Sequence, residues 1–363
     1  MSSSWGRNIK LSIFGESHGP VVGIVLDGIE PGHKLDFEKI KQQMSRRSPG
    51  RDQLSSPRKE QDQFELLSGI YNGTTTGTPI SILIRNTDQR SKDYDKAVAL
   101  FRPSHADHTG WVKYRGFNDP RGGGHFSGRL TAGLVCAGAI AMQLLENEGI
   151  FIGSHILKAG SIDCKSTLDD PLSLADLSEL KNSEFPVRSK EMRDSMVQEI
   201  IIAKAEGDSL GGIVEVVALG LSSGLGDPFF DSVESVLSGL FFSIPAVKGV
   251  EFGKGFELSG KKGSEANDQL RMDEGKITYY SNNNGGILGG ITNGMPLVAR
   301  LAVKPTPSIT IPQRTVSAET ESDEVIEIEG RHDPAILRRI APVAEAATAL
   351  GILDILMESK KWD

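Results

Sequence analysis

The sequence predicts a fold of mixed α and β structure, and three observations support this prediction. Segments with the alternating pattern of half-buried strands are interleaved with segments of helical periodicity. Their spacing is too irregular for a regular run of βαβ units. Residues 130–148 are rich in Ala, Leu and Gly and become polar only at their end, which is typical of a central, buried helix.

The individual elements follow from local patterns along the chain. A turn separates the first two strands, and Asp36 stands near the start of the first helix. Pro334 and Pro342 mark the first turns of the last helix. The predicted strands are 10–14, 21–27, 79–84, 212–219, 297–303 and 324–328. The predicted helices are 35–44, 130–148, 172–181, 189–206, 232–242 and 333–358.

Composition narrows the class of protein. The 363 residues suit two domains or one large one, and no linker divides them. A net charge of −8 argues against general binding to nucleic acid or to anionic membranes. Two cysteines and an N-terminus without a long apolar run predict a cytoplasmic protein. Its longest apolar stretch, 134–145, is too short to cross a bilayer.

The sequence GESHG at residues 15–19 has two interpretations with chemical content. It matches the nucleophile elbow of serine hydrolases, with Ser17 as nucleophile, but an elbow requires a helix after the turn and a strand follows here. In the other interpretation, the glycines bring the backbone close to a ligand and His18 supplies a proton. A glycine hairpin with an incidental histidine is the purely structural alternative.

A basic cluster follows, made of Arg46, Arg47, Arg51, Arg58 and Lys59. It is either a solvated loop or a mouth for an anionic small molecule, because guanidinium groups bind carboxylates and phosphates in a bidentate way.

Residues 102–129 are the richest in chemical groups. The spacing of His105 and His108 could ligate zinc with His125 as a third ligand, but Pro103 and Gly110 favour a loop. We therefore predict no metal site. Three glycines, 122–124, precede the long helix, and such a run at a helix N-terminus commonly binds an anion or a phosphate.

Two further motifs lie near the end of the chain. KPTPS, 304–308, offers an ammonium group and hydroxyls beside rigid prolines. Asp333 precedes Pro334, which is an ordinary start of a helix, so an N-cap role competes with a chemical one. Together these features indicate a cytosolic enzyme for a phosphorylated, polyanionic small molecule.

Eight blocks, taken in order, resemble the chorismate synthase family and cover nearly the whole chain. They are GESHG, RRSPG (46–50), NTDQRSKDY (86–94), RPSHAD (102–107), RGGGxxS (121–127), GGILGGITNG (285–294), KPTPSI and GRHDP (330–334). The resemblance implies a single domain over 1–363, with helices packed between antiparallel sheets as a β-α-β sandwich, assembled as a homotetramer. It also implies a lyase that eliminates phosphate in a 1,4-anti sense from 5-enolpyruvylshikimate 3-phosphate. That reaction requires reduced FMN, with NADPH as an indirect reductant.

The resemblance also implies roles for individual residues. His18 matches the histidine that protonates the departing phosphate, and His105 the one that protonates reduced flavin. Asp333 matches the aspartate that helps the flavin take the substrate proton. Arg47, with Arg46 and Arg51, matches the arginines that bind the substrate or NADP. The implied FMN contacts are His125, Phe126, Ser127, Ala246, Gly289, Lys304, Pro305, Thr306, Pro307, Ser308 and Arg331.

Three positions depart from the common family pattern. His125-Phe126 stands where many relatives have Arg-Ser, His108 where Tyr is common and Gln53 where Arg is common. Two alternatives stay open at this point: a flavin- or phosphate-binding protein without elimination activity, and a serine hydrolase that uses Ser17.

Overall fold

The structure, a computed structural model, describes residues 3–49, 62–87, 100–328 and 333–361. The helices are α1 (Phe37–Arg47), α2 (Asp107–Tyr114), α3 (Thr131–Asn147), α4 (Leu174–Asn182), α5 (Lys190–Ala205), α6 (Val233–Ser243), α7 (Gly263–Ala266) and α8 (Leu337–Ser359). The first nine strands are β1 (Ser4–Trp5), β2 (Lys10–Gly15), β3 (Val21–Asp27), β4 (Phe64–Leu66), β5 (Ile70–Tyr71), β6 (Thr74–Thr75), β7 (Ile80–Arg85), β8 (Phe151–Ala159) and β9 (Ile162–Asp163). The others are β10 (Gly212–Leu219), β11 (Val247–Phe252), β12 (Leu270–Asp273), β13 (Lys276–Tyr279), β14 (Ile287–Leu288), β15 (Ile291–Thr292), β16 (Leu297–Val303), β17 (Gln313–Ser317) and β18 (Ser322–Ile326).

Two five-stranded antiparallel sheets form the outer layers. The first has the strand order β1-β2-β3-β7-β4 and the second β11-β16-β10-β8-β9. In the first sheet, Gly15 at the end of β2 pairs with Val22 of β3, so residues 16–20 form the turn of a hairpin. This turn contains His18, and the sheet therefore presents it at one edge.

A layer of apolar helices lies between the sheets. α3 packs against β3 and β7 of the first sheet, while α8 packs against β8 and β10 of the second. The two helices also pack against each other, where a Cβ on Gly138 would overlap Ala346. The predicted sandwich of helices between antiparallel sheets is confirmed.

Most of the predicted elements are confirmed, but the predicted start of the last helix is wrong, and β8 and β11 of the second sheet were not predicted. β10 and β16 span the predicted residues, and Asp36 caps α1 by accepting a bond of 2.9 Å from the backbone N–H of Glu38. The last helix begins at Leu337 and not at 333, with Ile336 at its cap position, so Asp333 does not cap it. The sequence prediction also lacked β8, because Gly153, Ser154 and His155 interrupt its apolar pattern although all three are buried.

Within the described ranges, two helical segments are long and apolar enough to span a membrane. They are Gly128–Asn147 and Leu337–Ser359, and 89% of the relevant window of each is buried inside the protein. The expectation of only a short apolar stretch at 134–145 was therefore too narrow, since the helix around it is longer. Their burial between the two sheets accounts for their apolar composition.

Candidate active site

The GESHG turn connects two strands. β2 ends at Gly15 and β3 begins at Val21, so the strand-to-helix geometry of a hydrolase elbow does not occur here. Ser17 Oγ lies 3.1 Å from Nδ1 of His18 and donates to the carbonyl of Arg121 at 3.2 Å. His18 itself is buried at 6% exposure. The turn therefore holds a buried histidine against the glycine-rich segment that begins at Arg121.

The side chain of Asn86 holds the GESHG turn through two hydrogen bonds, which we call the Asn86 clamp. Its side-chain amide donates to the carbonyls of Glu16 at 3.0 Å and of Gly19 at 2.8 Å, one on each side of His18. Arg129 Nε donates in turn to Oδ1 of Asn86 at 2.8 Å. Because both ends of the turn are bonded to one amide, the backbone around His18 is fixed.

Asp62 lies between two buried arginines. Its carboxylate accepts from Nη1 of Arg47 at 2.5 Å, from the hydroxyl of Ser48 at 2.9 Å and from Nη1 of Arg129. Burial alone would raise the pKa of Asp62, but Arg47 and Arg129 outweigh it and lower the pKa to about 2. Burial lowers the pKa of Arg47 to about 10, so this guanidinium stays charged at neutral pH. Asp62, Arg47 and Arg129 therefore form a charged network, and Arg129 connects this network to Asn86.

The network should make stability depend on pH in the acid range. The pKa of Asp62 falls from 3.8 to about 2 in the folded chain, so the ionised carboxylate stabilises the fold above pH 4. This contribution, about 2 kcal/mol, is lost as the pH falls through about 2. We expect the difference in unfolding free energy between the wild type and Asp62→Asn to shrink by that amount between pH 5 and pH 2. Urea unfolding at each pH measures it.

An exposed aspartate provides the control for this measurement. Asp163 pairs at the surface with Lys158 at 3.1 Å, and exposed pairs contribute about 0–1 kcal/mol. The difference between the wild type and Asp163→Asn should change little over the same range. A constant difference for Asp62→Asn would contradict the ionised network.

The predicted basic mouth divides into two parts in the structure. Arg46 and Arg47 form the last turn of α1 and are buried, not solvated. Arg46 is paired with Glu345 on α8 at 2.5 and 2.8 Å, and Arg47 is paired with Asp62, so neither guanidinium projects from a mouth. Arg51, Arg58 and Lys59 lie outside the described residues.

The RPSHAD segment holds His105 beside an ion pair. Nδ1 of His105 lies 2.6 Å from Oδ1 of Asp107. Arg102 donates to the same carboxylate through Nε and Nη2, both at 2.8 Å. Burial alone would raise the pKa of Asp107, but hydrogen bonds from Arg102 and His105 hold it well below the usual range. Asp107 is therefore an ionised partner of the imidazole ring.

The three consecutive glycines bring the two predicted histidines to one loop. A Cβ on Gly122 would overlap the imidazole of His18, and a Cβ on Gly123 would lie 2.9 Å from Cε1 of His105. Both glycines have positive φ, at 60° and 92°, which a side chain rarely adopts. Since neighbouring Cα atoms are about 3.8 Å apart, the two imidazoles lie on the same short stretch of backbone.

The next three residues serve the loop itself. His125 contacts the carbonyl of Gly15 at 2.9 Å through Nδ1 and the hydroxyl of Ser3 at 3.0 Å through Nε2. Phe126 packs on Tyr114 with ring centroids 6.0 Å apart. Ser127 accepts from the backbone N–H of Arg129 at 3.2 Å. All three side chains have protein partners where the resemblance implies flavin contacts.

The histidines considered as zinc ligands have other partners. His108 lies in α2 with its ring 5.4 Å from that of Phe101. In the described part of the chain, no group of three or more His, Cys, Asp or Glu residues could hold a metal ion.

The KPTPS segment lies next to the His105 loop. Lys304 Nζ donates to the carbonyl of Ser104 at 2.5 Å, and the Lys304 backbone N–H donates to the carbonyl of Ala246 at 3.0 Å. Burial, with the charge of Lys248, lowers the pKa of Lys304. Thr306 Oγ1 is buried with no hydrogen-bond partner among the described residues, and Ser308 is also buried.

Asp333 lies where α8 approaches this network. Its Oδ2 accepts from Nη1 of Arg339 at 2.5 Å, and Nε of Arg339 donates to the carbonyl of Arg47 at 3.0 Å. The carbonyl of Pro334 accepts from Leu210 at 2.8 Å, and the neighbouring Ser209 donates to the carbonyl of Thr306 at 2.7 Å. Arg331 lies outside the described residues.

The fold separates Gly289 from Ala246, although the resemblance implies that both contact FMN. The backbone N–H of Val233, at the start of α6, bonds to the carbonyl of Gly290, whereas Ala246 follows the other end of this helix. Eleven helical residues span about 16 Å, so one chain does not bring Gly289 beside Ala246.

The contacts form one closed network that we call the contact ring. It runs through His18, Gly122, Gly123, His105, Ser104, Lys304, Thr306, Ser209, Leu210, Pro334, Asp333, Arg339, Arg47, Asp62, Arg129 and Asn86, which returns to the GESHG turn. Two imidazoles, two carboxylates and one lysine ammonium lie on it. This set can donate protons, accept a proton and attract an anion.

Sequence reasoning missed three members of this region: Asp62, Asn86 and Asp107. Asn86 and Asp107 belong to the NTDQRSKDY and RPSHAD motifs. The position of Asn86 just after a predicted strand, and that of Asp107 two residues after His105, could have indicated them. Asp62 has no such signal, because its positive φ of 47° and its two arginine partners appear only in the fold.

Comparisons with known proteins show the family to which the chain belongs. Residues 9–357 match the chorismate synthase family model. The chain is 46% identical over 361 residues to a chorismate synthase of Pyrococcus abyssi, covering 99% of this chain and 98% of that one. It is 45% identical over 360 residues to one of Korarchaeum cryptofilum, covering 98% of each. A crystal structure of chorismate synthase superimposes with a TM-score of 0.78 at 31% identity, over 98% of this chain and 93% of that chain.

Proposed function

The chain belongs to the chorismate synthase family and forms chorismate in the shikimate pathway, and we propose that it does so on the contact ring, with His18, His105 and Asp333 as catalytic residues. The reaction is the elimination of phosphate from 5-enolpyruvylshikimate 3-phosphate. It needs an acid for the leaving phosphate and an acceptor for the proton that leaves carbon.

One observation carries the proposal more than any other. Gly122 and Gly123 are neighbours in sequence, and each lies against one of the two histidines. Neither position has room for a side chain, so the loop can approach both imidazoles only because these residues are glycine. Binding alone would not require two histidines on one short stretch of backbone.

His18 is suited to the leaving phosphate. Departure of phosphate develops negative charge, which a positioned imidazolium stabilises strongly in a site from which water is excluded. His18 is buried, and the Asn86 clamp fixes its turn on both sides. The buried arginines Arg47 and Arg129 hold that clamp and keep positive charge beside the turn.

His105 and Asp333 are suited to the other proton. Nε2 of His105 lies on the side of the ring that faces Gly123, where it could exchange a proton with bound molecules. Asp333 lies four residues before the start of α8, and Arg339 of α8 donates to its carboxylate. Because Asp333 does not cap α8, we assign its carboxylate, paired with Arg339, a chemical role: it would help bound flavin take the proton that leaves the substrate carbon.

The residues near Lys304 fit a phosphate monoester such as that of FMN. Lys304 has no carboxylate within ion-pair distance among the described residues, and the buried hydroxyl of Thr306 lacks a partner that a phosphate oxygen would supply. Lys304, Thr306 and Ser308 would hold the phosphate, with Ala246 beside them. Reduced FMN, which chorismate synthases use, supplies transient electron donation that side chains cannot. Gly289 would contact this FMN only from another subunit.

An anaerobic assay tests the proposal. With reduced FMN and 5-enolpyruvylshikimate 3-phosphate we expect phosphate and chorismate to appear together. Equilibrium dialysis should show FMN retention that rises with substrate, because Lys304 and the hydroxyls lie next to the His105 loop. NADPH with oxidised FMN forms a separate arm, since it reports whether the chain reduces its own flavin; we expect that an external reductant is needed.

Each alternative function has its own distinguishing result. Retention of FMN without phosphate release would favour a flavin-binding protein without elimination activity. Labelling of Ser17 by a fluorophosphonate would favour a hydrolase. Three further expectations stay predictions: a single domain over 1–363, a homotetramer and a cytoplasmic location.

A further inference from the structure

The imidazole of His105 has a carboxylate on one side and open backbone on the other. Asp107 Oδ1 lies 2.6 Å from Nδ1, while Nε2 lies 3.1 Å from the position that a Cβ on Gly123 would take. The side of the ring that carries Nε2 therefore faces the loop shared with His18.

Two groups approach Nδ1, and only one of them can form a hydrogen bond there. Nη2 of Arg102 lies 3.1 Å from Nδ1 and could donate only to a ring nitrogen without hydrogen. Asp107 is ionised, so its carboxylate can only accept. The Arg102 group already donates to Oδ1 of Asp107 at 2.8 Å. The shorter contact, with Nδ1–H donating to Asp107, is the arrangement that satisfies all three groups.

We infer that Asp107 is a positioning residue that keeps a hydrogen on Nδ1 of His105, so that Nε2 is the nitrogen that exchanges a proton with the bound molecules. Arg102 holds Asp107 in the required orientation. The inference rests on the proposed role of His105, and it adds the atom through which His105 acts and the residue that selects this atom.

The local fold fixes Asp107 independently of His105. Asp107 is the first residue of α2, and its Oδ2 also accepts from the backbone N–H of Arg102 at 2.9 Å. The preceding loop is anchored at Ser104, whose carbonyl accepts from Lys304. The charged groups around the imidazole are thus Asp107, Arg102 and, through Ser104, Lys304. A carboxylate held by several bonds can orient a ring that is itself less constrained.

The experiment reads the proton position directly. The protein is labelled with ¹⁵N-histidine and studied at a pH high enough for the ring to be neutral. A long-range ¹H–¹⁵N correlation spectrum then distinguishes a ring nitrogen that carries hydrogen from one that does not. Spectra of His105→Ala identify the His105 signals. In the wild type we expect hydrogen on Nδ1 and none on Nε2. In Asp107→Asn the amide can donate to Nδ1, so we expect hydrogen to appear on Nε2.

The kinetic readout should follow the tautomer. Loss of the orienting carboxylate from an analogous histidine costs up to about 10⁴-fold in turnover. We expect kcat of Asp107→Asn to fall by about 10²- to 10⁴-fold with little change in KM, because the inferred role of Asp107 is to orient His105 and not to bind substrate. Asp170→Asn is the matched control: it removes a carboxylate from Arg188, 2.8 Å away, in another part of the chain, and should alter neither readout.

Each outcome decides between the inference and a structural role for Asp107. Hydrogen on Nε2 in the wild type overturns the inference, and this measurement does not depend on the folding of Asp107→Asn. So does an Asp107→Asn protein that keeps both tautomer and turnover, since Asp107 would then only start α2. Full turnover in His105→Ala removes His105 from the chemistry and the inference with it. Failure of the wild type to form chorismate would instead contradict the proposed function, whichever tautomer is found.

Discussion

Replacement of His18 by alanine is expected to lower turnover by roughly 10²- to 10⁴-fold, the usual contribution of a general acid or base. The imidazole is buried in a turn that Asn86 holds from both ends, so its loss should leave the backbone of the turn in place. Steady-state assay with reduced FMN measures the loss, and circular dichroism checks that the variant is folded. His33→Ala, which removes a half-exposed histidine elsewhere, is the control and should keep full turnover.

A second variant approaches His18 without replacing it. In Gly122→Ala the new Cβ would overlap the imidazole, so the ring must move and turnover should fall. The positive φ of 60° also adds backbone strain. Gly149→Ala separates the two effects, because Gly149 has φ of 78° with nothing within 4 Å of the added Cβ. If His18→Ala keeps wild-type turnover, GESHG is a structural turn and the assignment fails.

Removal of the Glu345 carboxylate should destabilise the fold by about 3–5 kcal/mol. Glu345 is fully buried on α8, where it accepts from Arg46 on α1 at 2.5 and 2.8 Å and from Ser154 on β8 at 2.6 Å. Burial alone would raise the pKa of Glu345, but Arg46 holds it below the usual value. Glu345→Ala leaves the buried guanidinium without its counter-charge, and this uncompensated charge is the main cost.

Urea unfolding of four proteins separates the cost of an unpaired charge from the value of the pair. Glu345→Leu combined with Arg46→Met should recover most of the loss, since apolar groups of similar size often replace a buried pair at little cost. Glu146→Ala is the exposed control, because Glu146 on α3 pairs with Lys39 on α1 at 2.5 Å near the surface. It should cost less than about 1 kcal/mol. A comparable cost for both single variants would contradict the argument.

Regular periodicity explains how much of the fold could be predicted. β10 and β16 are apolar except for one charged residue each, Glu215 and Arg300, and their predicted ends agree with the structure. β8 could not be found in this way, because Ser154 and His155 are buried through partners on other elements, Glu345 and Glu215. Sequence analysis predicts a polar residue to be exposed unless the distant residue that bonds to it is known.

The candidate site was predictable only in part for the same reason. His18 and His105 stand in glycine-rich motifs that indicate a ligand, but their proximity depends on Gly122 and Gly123, which lie far from both in sequence. The basic cluster pointed to a mouth, whereas Arg46 and Arg47 have buried acidic partners whose position no local pattern reveals. Asp333 looked like an N-cap because Asp-Pro is a common helix start, yet α8 begins four residues later.

The position of α8 has a consequence for the synthesis of the chain. This helix supplies the layer between the sheets, yet it follows every strand of both sheets in the sequence. On a ribosome that adds about 5–20 residues per second, roughly 10–40 s pass between the completion of α3 and β8 and the synthesis of residue 337. During that time the inner face of β8 lacks its permanent cover, and so does that of β10 once β10 has been made. The nascent chain therefore exposes a wide apolar surface for tens of seconds, which makes it a natural client of ribosome-associated chaperones.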